Sequence, residues 1–383
     1  MNEKNFFSDW KNISSVGIAN IIPTIISGFF WFYVASFLKV EEYGEIGYLL
    51  GVGSILATIS MLGTGSSIIV YTAKGENIIA TISFFVILSS TIMSLIMYLI
   101  FENLGISIWI IGFVIFGIIG AEFLGRKAYR TYAKFIILQR ILMVIFAILF
   151  YNLIGYEGII LGIGISFIPF SIKFFKIIKN NKFQINYLVS RKNFLLNNYV
   201  LELSRTLGSS IDKIVIAPLF GFMILGNYHL GIQFLSVLTI IPTIVYQYTL
   251  PRDSNGENDY KLKKITILTS VIIAIMSFFI LPEIIQLFFP KYFDSIEIIK
   301  VLSFTIIPIS INMMYISELL GNLKSKVVLY GSGIFLIVEI IMIIILGDFM
   351  GAIGMGIALL IGHSAESCYL FNMNKKFKNL EKI

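Results

Sequence analysis

The sequence predicts an all-α polytopic membrane protein, and three observations carry this prediction. Hydrophobic residues make up 57% of the 383 residues and charged residues only 13%, whereas soluble domains have roughly 45–50% and about 25%. The mean hydropathy is +0.89. Long apolar runs recur along the whole chain without the two-residue alternation of a barrel strand. Helices are then the structures that satisfy the backbone within lipid.

Short polar breaks divide the chain into twelve predicted spans. Most reach the length of about 20 residues that a crossing helix needs. The first apolar run has full length and no small-residue cleavage site, so we expect it to remain as the first helix. The predicted spans are residues 13–38, 46–73, 78–101, 105–124, 133–151, 158–175, 197–221, 224–250, 265–289, 298–320, 327–346 and 351–372.

Lysine and arginine set the predicted orientation. With the N-terminus inside, the inner segments hold the clusters 126–134 and 173–192, whereas the outer loops keep only Lys39, Lys291 and Lys300. Because positive residues favour the cytoplasmic side, both termini are predicted to be cytoplasmic, in a multi-pass protein of the cell (inner or plasma) membrane. The net charge of +7 then faces anionic lipid, and no nucleic-acid partner is expected.

The chain is predicted to form two six-helix lobes. Residues 1–178 make the N-terminal lobe, 179–196 a polar cytoplasmic linker, and 197–383 the C-terminal lobe with a basic tail. "ASFLKVEEYGEIGY" (35–48) aligns with "APLFGFMILGNYHL" (217–230). Glycine and aromatic residues are common at membrane interfaces, but several matches at a nearly constant offset favour a repeat. Parallel repeats place a substrate path between two lobes that rock against each other.

Several motifs carry a resemblance to a known family. They are "VASFLKVEEYGEIGYLLGVGSILATISMLGTG", "SSIDKIVIAPLFGFMILGNYHLGIQF", "TLPR", the outer "LFFPKYFDSIEIIKVLSF" and "GDFMGAIGMGIA". Together these motifs cover the chain from end to end. With them the chain resembles the multidrug/oligosaccharidyl-lipid/polysaccharide (MOP) superfamily and, within it, the Wzx-type polysaccharide flippases.

The resemblance implies a MATE-like fold and a function. The implied function is transfer of an undecaprenyl- or polyprenyl-phosphate-linked oligosaccharide from the cytoplasmic to the outer leaflet by alternating access. Such transport serves cell-surface polysaccharides such as the O-antigen of lipopolysaccharide. Membrane lipids and other polysaccharide-assembly proteins are the expected partners.

The seventh span carries unusual charge for a membrane helix. Glu202, Arg205, Ser209 and Asp212 are spaced by three, four and three residues and share one helical face. A charge facing lipid at the bilayer centre costs at least about 2.5–3.5 kcal/mol, so this face is expected to look into the bundle. Two explanations stay open, because Glu202 with Arg205, and Asp212 with Lys213, can also be purely structural ion pairs.

These charges predict a path for a phosphate-bearing head group. Arginine suits that role because its planar fork pairs bidentately with phosphate. Arg205 is the first candidate, Arg140 the second and Lys213 the third, with Glu202 and Ser209 beside them. Arg140 lies near the cytoplasmic end of its span and can equally snorkel.

Acidic residues of the second half predict a coupling site. The resemblance implies that some relatives bind a driving cation there, so Asp212, Glu339 and Glu366 are expected to bind Na⁺ or H⁺, with His363 as a proton relay. The alternative is that Glu339 pairs with Lys213 or Arg205 across the bundle.

The first span is predicted to hold a hinge. Pro23 breaks the backbone ladder, and Gly17 and Gly28 flank it. Relatives bend this helix during transport, but a static kink explains the same residues.

The sequence argues against an enzyme. It has no Walker A pattern and no nucleophile–base set, and a single cysteine, Cys368, excludes an internal disulfide or a cysteine metal cluster. No cofactor or metal site is expected beyond Na⁺ or H⁺. Two rival functions remain: a cation-coupled multidrug antiporter of the same superfamily, and a membrane-embedded polysaccharide polymerase or ligase, which the short outer loops disfavour.

Overall fold

The computed structural model describes residues 22–76, 78–179, 191–257 and 259–380. Within these ranges the regular structure consists of α-helices and a 3₁₀ turn, without strands. The helices are α1 (Ile22–Phe37), α2 (Val40–Met61), α3 (Thr64–Ala73), α4 (Ile79–Phe101), α5 (Leu104–Gly125), α6 (Tyr129–Ile154), α7 (Glu157–Ile165), α8 (Ile168–Lys179), α9 (Lys192–Phe220), α10 (Phe222–Leu238), α11 (Ile240–Ser254), α12 (Tyr260–Phe288), a 3₁₀ turn (Pro290–Tyr292), α13 (Ser295–Gly321), α14 (Ser325–Met350) and α15 (Ala352–Leu380).

The multi-pass membrane class predicted from the sequence is confirmed. Nine helices in the described ranges are long and apolar enough to cross a membrane, with α7 and α8 taken together, and α10 with α11 makes a tenth if the pair is one span bent by 49°. The count of twelve is not reached by this measure, because α1 is short over its described part and α9 is too polar. Twelve spans and cytoplasmic termini therefore stay predictions.

Three predicted spans are each broken into two helices, and span 158–175 is interrupted at Ser166 and Phe167, between α7 and α8. Span 46–73 begins earlier, at Val40, and stops at Leu62 and Gly63, whose φ angles are 51° and 68°. A Cβ on Gly63 would lie 2.4 Å from the carbonyl oxygen of Leu195. Glycine therefore allows both the left-handed turn and the close approach of α9. The third break falls at Thr239, between α10 and α11.

The chain packs into two compact units. Unit 1 comprises residues 1–31 and 49–206, and unit 2 comprises residues 32–48 and 207–383. The units are defined by contacts within the structure, whereas the predicted lobes are defined by the sequence repeat. The lobe boundaries therefore stay a prediction. The structure does show that α9 begins at Lys192, inside the segment that the sequence assigns to the linker.

Unit 1 is organised around α5, which packs against α3, α4, α6, α7 and α8. The ring of Phe116 stacks on that of Phe135 with centroids 4.1 Å apart. A Cβ on Gly162 would lie 2.3 Å from the carbonyl oxygen of Phe146. The backbones of α6 and α7 are therefore in direct contact, as small residues permit in membrane helices.

Unit 2 is organised around α13, which packs against α10, α11, α12 and α15. The first part of α2 also belongs to this unit and crosses α10 at two glycines. A Cβ on Gly44 would lie 2.1 Å from the carbonyl oxygen of Phe222, and one on Gly226 would lie 2.0 Å from that of Val40. Lys291 Nζ donates to the carbonyl oxygen of Phe37 at 2.9 Å, at the end of α1. The segment 32–48 is therefore held tightly by its own unit.

Left-handed turns recur in the same order in both halves. One such turn follows α3 and α11, one follows α5 and α13, and one precedes α7 and α15. The residues with positive φ in these three pairs are Gly75 and Gly256, Lys127 and Leu323, and Gly155 and Gly351. This local correspondence agrees with the repeat that the sequence motifs indicate.

Candidate functional site

The first half of α9 presents one side to α2 and α3 within unit 1. The residues that make this contact are four apart, so they follow one face of the helix. Asn198 Nδ2 donates to Ser67 Oγ at 3.3 Å, and the hydroxyls of Thr206 and Thr58 lie 2.9 Å apart. Glu202 lies between these two contacts on the same face.

Glu202 stabilises the start of α3 and does not pair with Arg205 in the structure. Its Oε1 accepts from the backbone N–H of Ser66 at 3.4 Å and from Ser66 Oγ at 3.3 Å. A carboxylate at a helix N-terminus satisfies free N–H groups and complements the helix dipole. Glu202 therefore has a structural role, but its partner is α3 and not Arg205, with which the sequence alternative paired it.

Arg205 lies one turn further along α9 and is exposed. Within the described ranges its guanidinium makes no hydrogen bond and no ion pair. Ser209, on the following turn, is exposed as well. Its carbonyl oxygen accepts from Lys213 Nζ at 2.8 Å. The described residues therefore leave the hydrogen-bonding capacity of the Arg205 guanidinium unused.

Asp212 and Lys213 form a buried ion pair in the second half of α9. They are 6% and 8% exposed, and Lys213 Nζ lies 3.3 Å from Asp212 Oδ1. The same oxygen accepts from the Lys213 backbone N–H at 2.8 Å. The pair therefore lies side by side within one helix, as the structural explanation for these two charges requires.

Glu339 of α14 lies close to this pair in unit 2. It is 1% exposed, and Asp212 and Lys213 both act on it electrostatically, as does Tyr228 of α10. Its Oε2 is shielded and has no hydrogen-bond partner among the described residues. Two carboxylates and one ammonium therefore lie near one another, and Lys213 forms an ion pair with Asp212 only. An unpaired buried charge at Glu339 would be strongly unfavourable.

His363 and Glu366 of α15 form a second polar cluster with α13. Asn312 Nδ2 donates to Glu366 Oε2 at 2.9 Å and to the His363 carbonyl oxygen at 3.1 Å. His363 Nδ1 lies 3.5 Å from Glu366 Oε2, and its ring stacks on Phe335 with centroids 4.3 Å apart. Glu366 is thus held by an amide and faces an imidazole.

Arg140 of α6 is half-buried in unit 1. Its Nη1 lies 3.6 Å from Met143 Sδ, and its Nε is shielded with no hydrogen-bond partner in the described ranges. No carboxylate in the described part of the chain forms an ion pair with it. Arg140 therefore shares with Arg205 the lack of an anionic partner.

The hinge prediction falls partly outside the described residues, because Gly17 lies there. Pro23 is buried in the first described turn of α1. A Cβ on Gly28 would meet nothing within 4 Å. Packing therefore does not require a glycine at position 28.

Sequence reasoning missed two polar elements. The first is Asn312 of α13, which lies one turn after Pro308; Ser367 Oγ donates to the carbonyl oxygen of Pro308 at 3.2 Å. The second is a buried pair, in which Lys263 Nζ lies 2.8 Å from Asp253. A small polar residue one turn after a proline inside a predicted span was the sequence signal available for Asn312.

Known proteins relate to this chain through their structures. No protein-family model matches the sequence, and no curated protein matches it significantly. A structure described as lipid II flippase MurJ in an inward closed conformation matches with a TM-score of 0.75 and 16% identity, over 94% of this chain and 87% of that one.

Two structures of a multidrug resistance MATE family transporter of the MOP superfamily also match. The inward-facing one has a TM-score of 0.74 and 15% identity, over 97% of this chain and 99% of that one. The outward-facing one has a TM-score of 0.63 and 15% identity, over 97% of both chains. The chain therefore has the all-helical fold of these lipid II flippase and MATE transporter structures.

Proposed function

We propose that the protein is a flippase that moves a polyprenyl-phosphate-linked oligosaccharide from the cytoplasmic to the outer leaflet by alternating access. The observation that carries this proposal is Arg205, an exposed arginine in the middle of α9 that pairs with none of the described residues. The structural match to a lipid II flippase supports it.

The proposed substrate explains why a membrane path needs arginine. Its prenyl tail can stay in the bilayer, whereas an uncompensated phosphate in a low-dielectric medium costs on the order of tens of kcal/mol. Arg205 and Arg140 are proposed to bind the phosphate in turn as the head group crosses. Lys213 is already engaged by Asp212 and Ser209, so it would contact the phosphate only by exchanging partners.

Ion coupling is proposed to centre on Glu339. A proton or Na⁺ bound there would relieve the excess of carboxylate over ammonium around Lys213. One cation moving down a potential of 100 mV supplies about 2.3 kcal/mol, which is enough to bias a conformational cycle. Glu366 and His363 are proposed as a second coupling pair, with Asn312 orienting the carboxylate.

The hinge remains part of the proposal. Gly28→Ala keeps every observed contact, because its Cβ has open space, and it favours the helix by about 1 kcal/mol. Slower flipping by this variant, with unchanged stability, would support bending of α1. Normal flipping would show that bending at Gly28 is not required.

The cellular setting follows from the same proposal. We place the protein in the inner or plasma membrane with both termini cytoplasmic, transporting sugar units for a surface polysaccharide such as O-antigen. Other polysaccharide-assembly proteins would supply and consume its substrate. In this proposal the protein catalyses no covalent step.

The test is flipping by the purified protein in liposomes. An undecaprenyl-linked oligosaccharide is distributed over both leaflets, and a membrane-impermeant glycosidase digests what reaches the outer one. We expect digestion of nearly all the substrate with the protein and of only the outer-leaflet share without it. An unchanged digested fraction, with several sugar lipids and with imposed Na⁺ and pH gradients, would contradict the proposal.

The second candidate is a cation-coupled multidrug antiporter. The buried acids Asp212 and Glu339, together with the match to MATE transporter structures, favour it. If the protein is such an antiporter, the same liposomes should take up a cationic dye when a Na⁺ or pH gradient is imposed. Dye transport without sugar-lipid flipping would make this the better assignment.

A further inference from the structure

An open cavity of about 650 Å³ lies within unit 2, at the end that the charge asymmetry predicts to be outside. It is formed by the last turns of α12, the start of α13 and the connection between α14 and α15. This volume lies within the range of about 300–1,000 Å³ that small-molecule sites have. None of the residues given the head-group or coupling roles above lines it.

Aromatic rings line part of this outer cavity. Phe278 and Phe279 meet edge to face with centroids 5.2 Å apart, and Phe293 also lines the cavity. Phe279 and Phe293 are 68% and 66% exposed. Exposed rings around a cavity provide flat apolar surfaces for a ligand with an apolar face.

Hydrogen-bond acceptors are the most frequent of the charged groups that line the outer cavity. Glu283, Asp294 and Glu297 line the cavity with one cation, Lys300, and Lys300 Nζ is already 2.6 Å from Glu297. Within the described ranges, Glu283 and Asp294 have no hydrogen bond and no ion pair. Carboxylates accept hydrogen bonds and repel anions, so this cavity disfavours phosphate and suits a ligand rich in hydroxyl or amine donors.

We infer that the outer cavity binds the sugar part of the transported lipid, as a neutral or amine-bearing glycan. The aromatic rings would pack against the apolar faces of the sugar rings, while Glu283 and Asp294 accept from hydroxyl or amino groups. The inference rests on the proposed function for the source of the sugar. It assigns phosphate and sugar to two separate places, because the arginines lie elsewhere in the chain.

The test measures ligand binding to the purified full chain by ligand-observed NMR and by calorimetry. The probes are an N-acetylglucosamine tetramer, a glucosamine tetramer, tetraphenylphosphonium and inorganic pyrophosphate. The cavity variants are the double substitution Glu283→Gln with Asp294→Asn, and Phe293→Ala. Glu157→Gln, an exposed acid on α7 in unit 1, is the matched control.

We expect at least one sugar probe to bind, with affinity at least tenfold lower in both cavity variants and unchanged in the control. No sugar binding, or binding unaffected by the cavity variants, would overturn the inference. So would preferential binding of tetraphenylphosphonium or pyrophosphate at these residues.

The liposome assay separates failure of this inference from failure of the proposed function. Normal flipping by a protein that binds no sugar probe would remove the cavity's role and keep the flippase. Sugar binding that depends on Glu283 and Asp294, in a protein that flips no sugar lipid, would keep the cavity and remove the flippase.

Discussion

The two halves of α9 hold charge in opposite ways. In the first half, Glu202 bonds to the start of α3 and Arg205 is exposed without a described partner. In the second half, Asp212 and Lys213 are both buried and pair with each other beside Glu339. An exposed fork is available to a mobile ligand, whereas a buried pair is already compensated. We therefore propose that the first half serves the substrate and that the second half, with Glu339, serves the ion.

The largest expected effect is on transport, from Arg205→Ala. Loss of bidentate pairing with phosphate should slow flipping at least tenfold, which corresponds to about 1.4 kcal/mol, without unfolding the protein. Arg205→Lys should recover part of the rate, because it keeps the charge and loses the fork. The liposome assay measures both, and Arg130→Ala, an exposed arginine at the start of α6, is the control. A normal flipping rate in Arg205→Ala would contradict the proposed role of the first half of α9 in binding the substrate.

The second expected effect is on stability, from separating the buried pair. Lys213→Met leaves Asp212 and Glu339 facing each other without an ammonium, so we expect a loss of about 3–5 kcal/mol. Asp212→Asn should cost less, because Glu339 can still balance Lys213. Thermal unfolding in detergent measures both variants. Equal losses would show that Glu339 does not interact with the pair.

Glu202→Gln should have a smaller effect, limited to stability. Removing the charge at the start of α3 should cost about 0.3–1 kcal/mol and leave flipping unchanged. Ser66→Ala is its matched partner, because it removes one of the two donors to the same carboxylate. If Glu202→Gln instead blocks flipping at wild-type stability, Glu202 belongs to the head-group path.

Ser209→Ala should have the smallest effect. The hydroxyl is exposed, and the interaction with Lys213 uses the backbone carbonyl oxygen, which alanine retains. We expect stability to change by less than about 0.5 kcal/mol and flipping to fall only slightly, since Arg205 carries the phosphate contact. A large loss of flipping would move the centre of the path one turn along α9.

The sequence predicted much of the fold. Hydropathy located the long apolar helices because burial in lipid demands about 20 apolar residues in a row. The breaks at Gly63, Ser166 and Thr239 escaped it, because an interrupted apolar run still reads as one span.

The contacts that each charged residue makes with other helices were harder to predict from the sequence. Helical spacing put Glu202 and Asp212 on one face, but it could not show that Glu202 contacts α3 while Asp212 turns into unit 2. Those differences depend on which helices pack around α9, and they arise from tertiary contacts such as Gly63 against Leu195. The outer cavity was also missed, since its aromatic and acidic residues come from separate segments.

The most direct test compares Arg205→Ala and Glu339→Gln in the liposome assay, with and without an imposed Na⁺ or pH gradient. We predict that Arg205→Ala equilibrates the sugar lipid at least tenfold more slowly than the wild type under every condition. Glu339→Gln should equilibrate it normally and lose the acceleration that a gradient gives the wild type. Equilibration by Arg205→Ala at the wild-type rate, or an intact gradient response in Glu339→Gln, would contradict the division of α9 into a substrate half and an ion half.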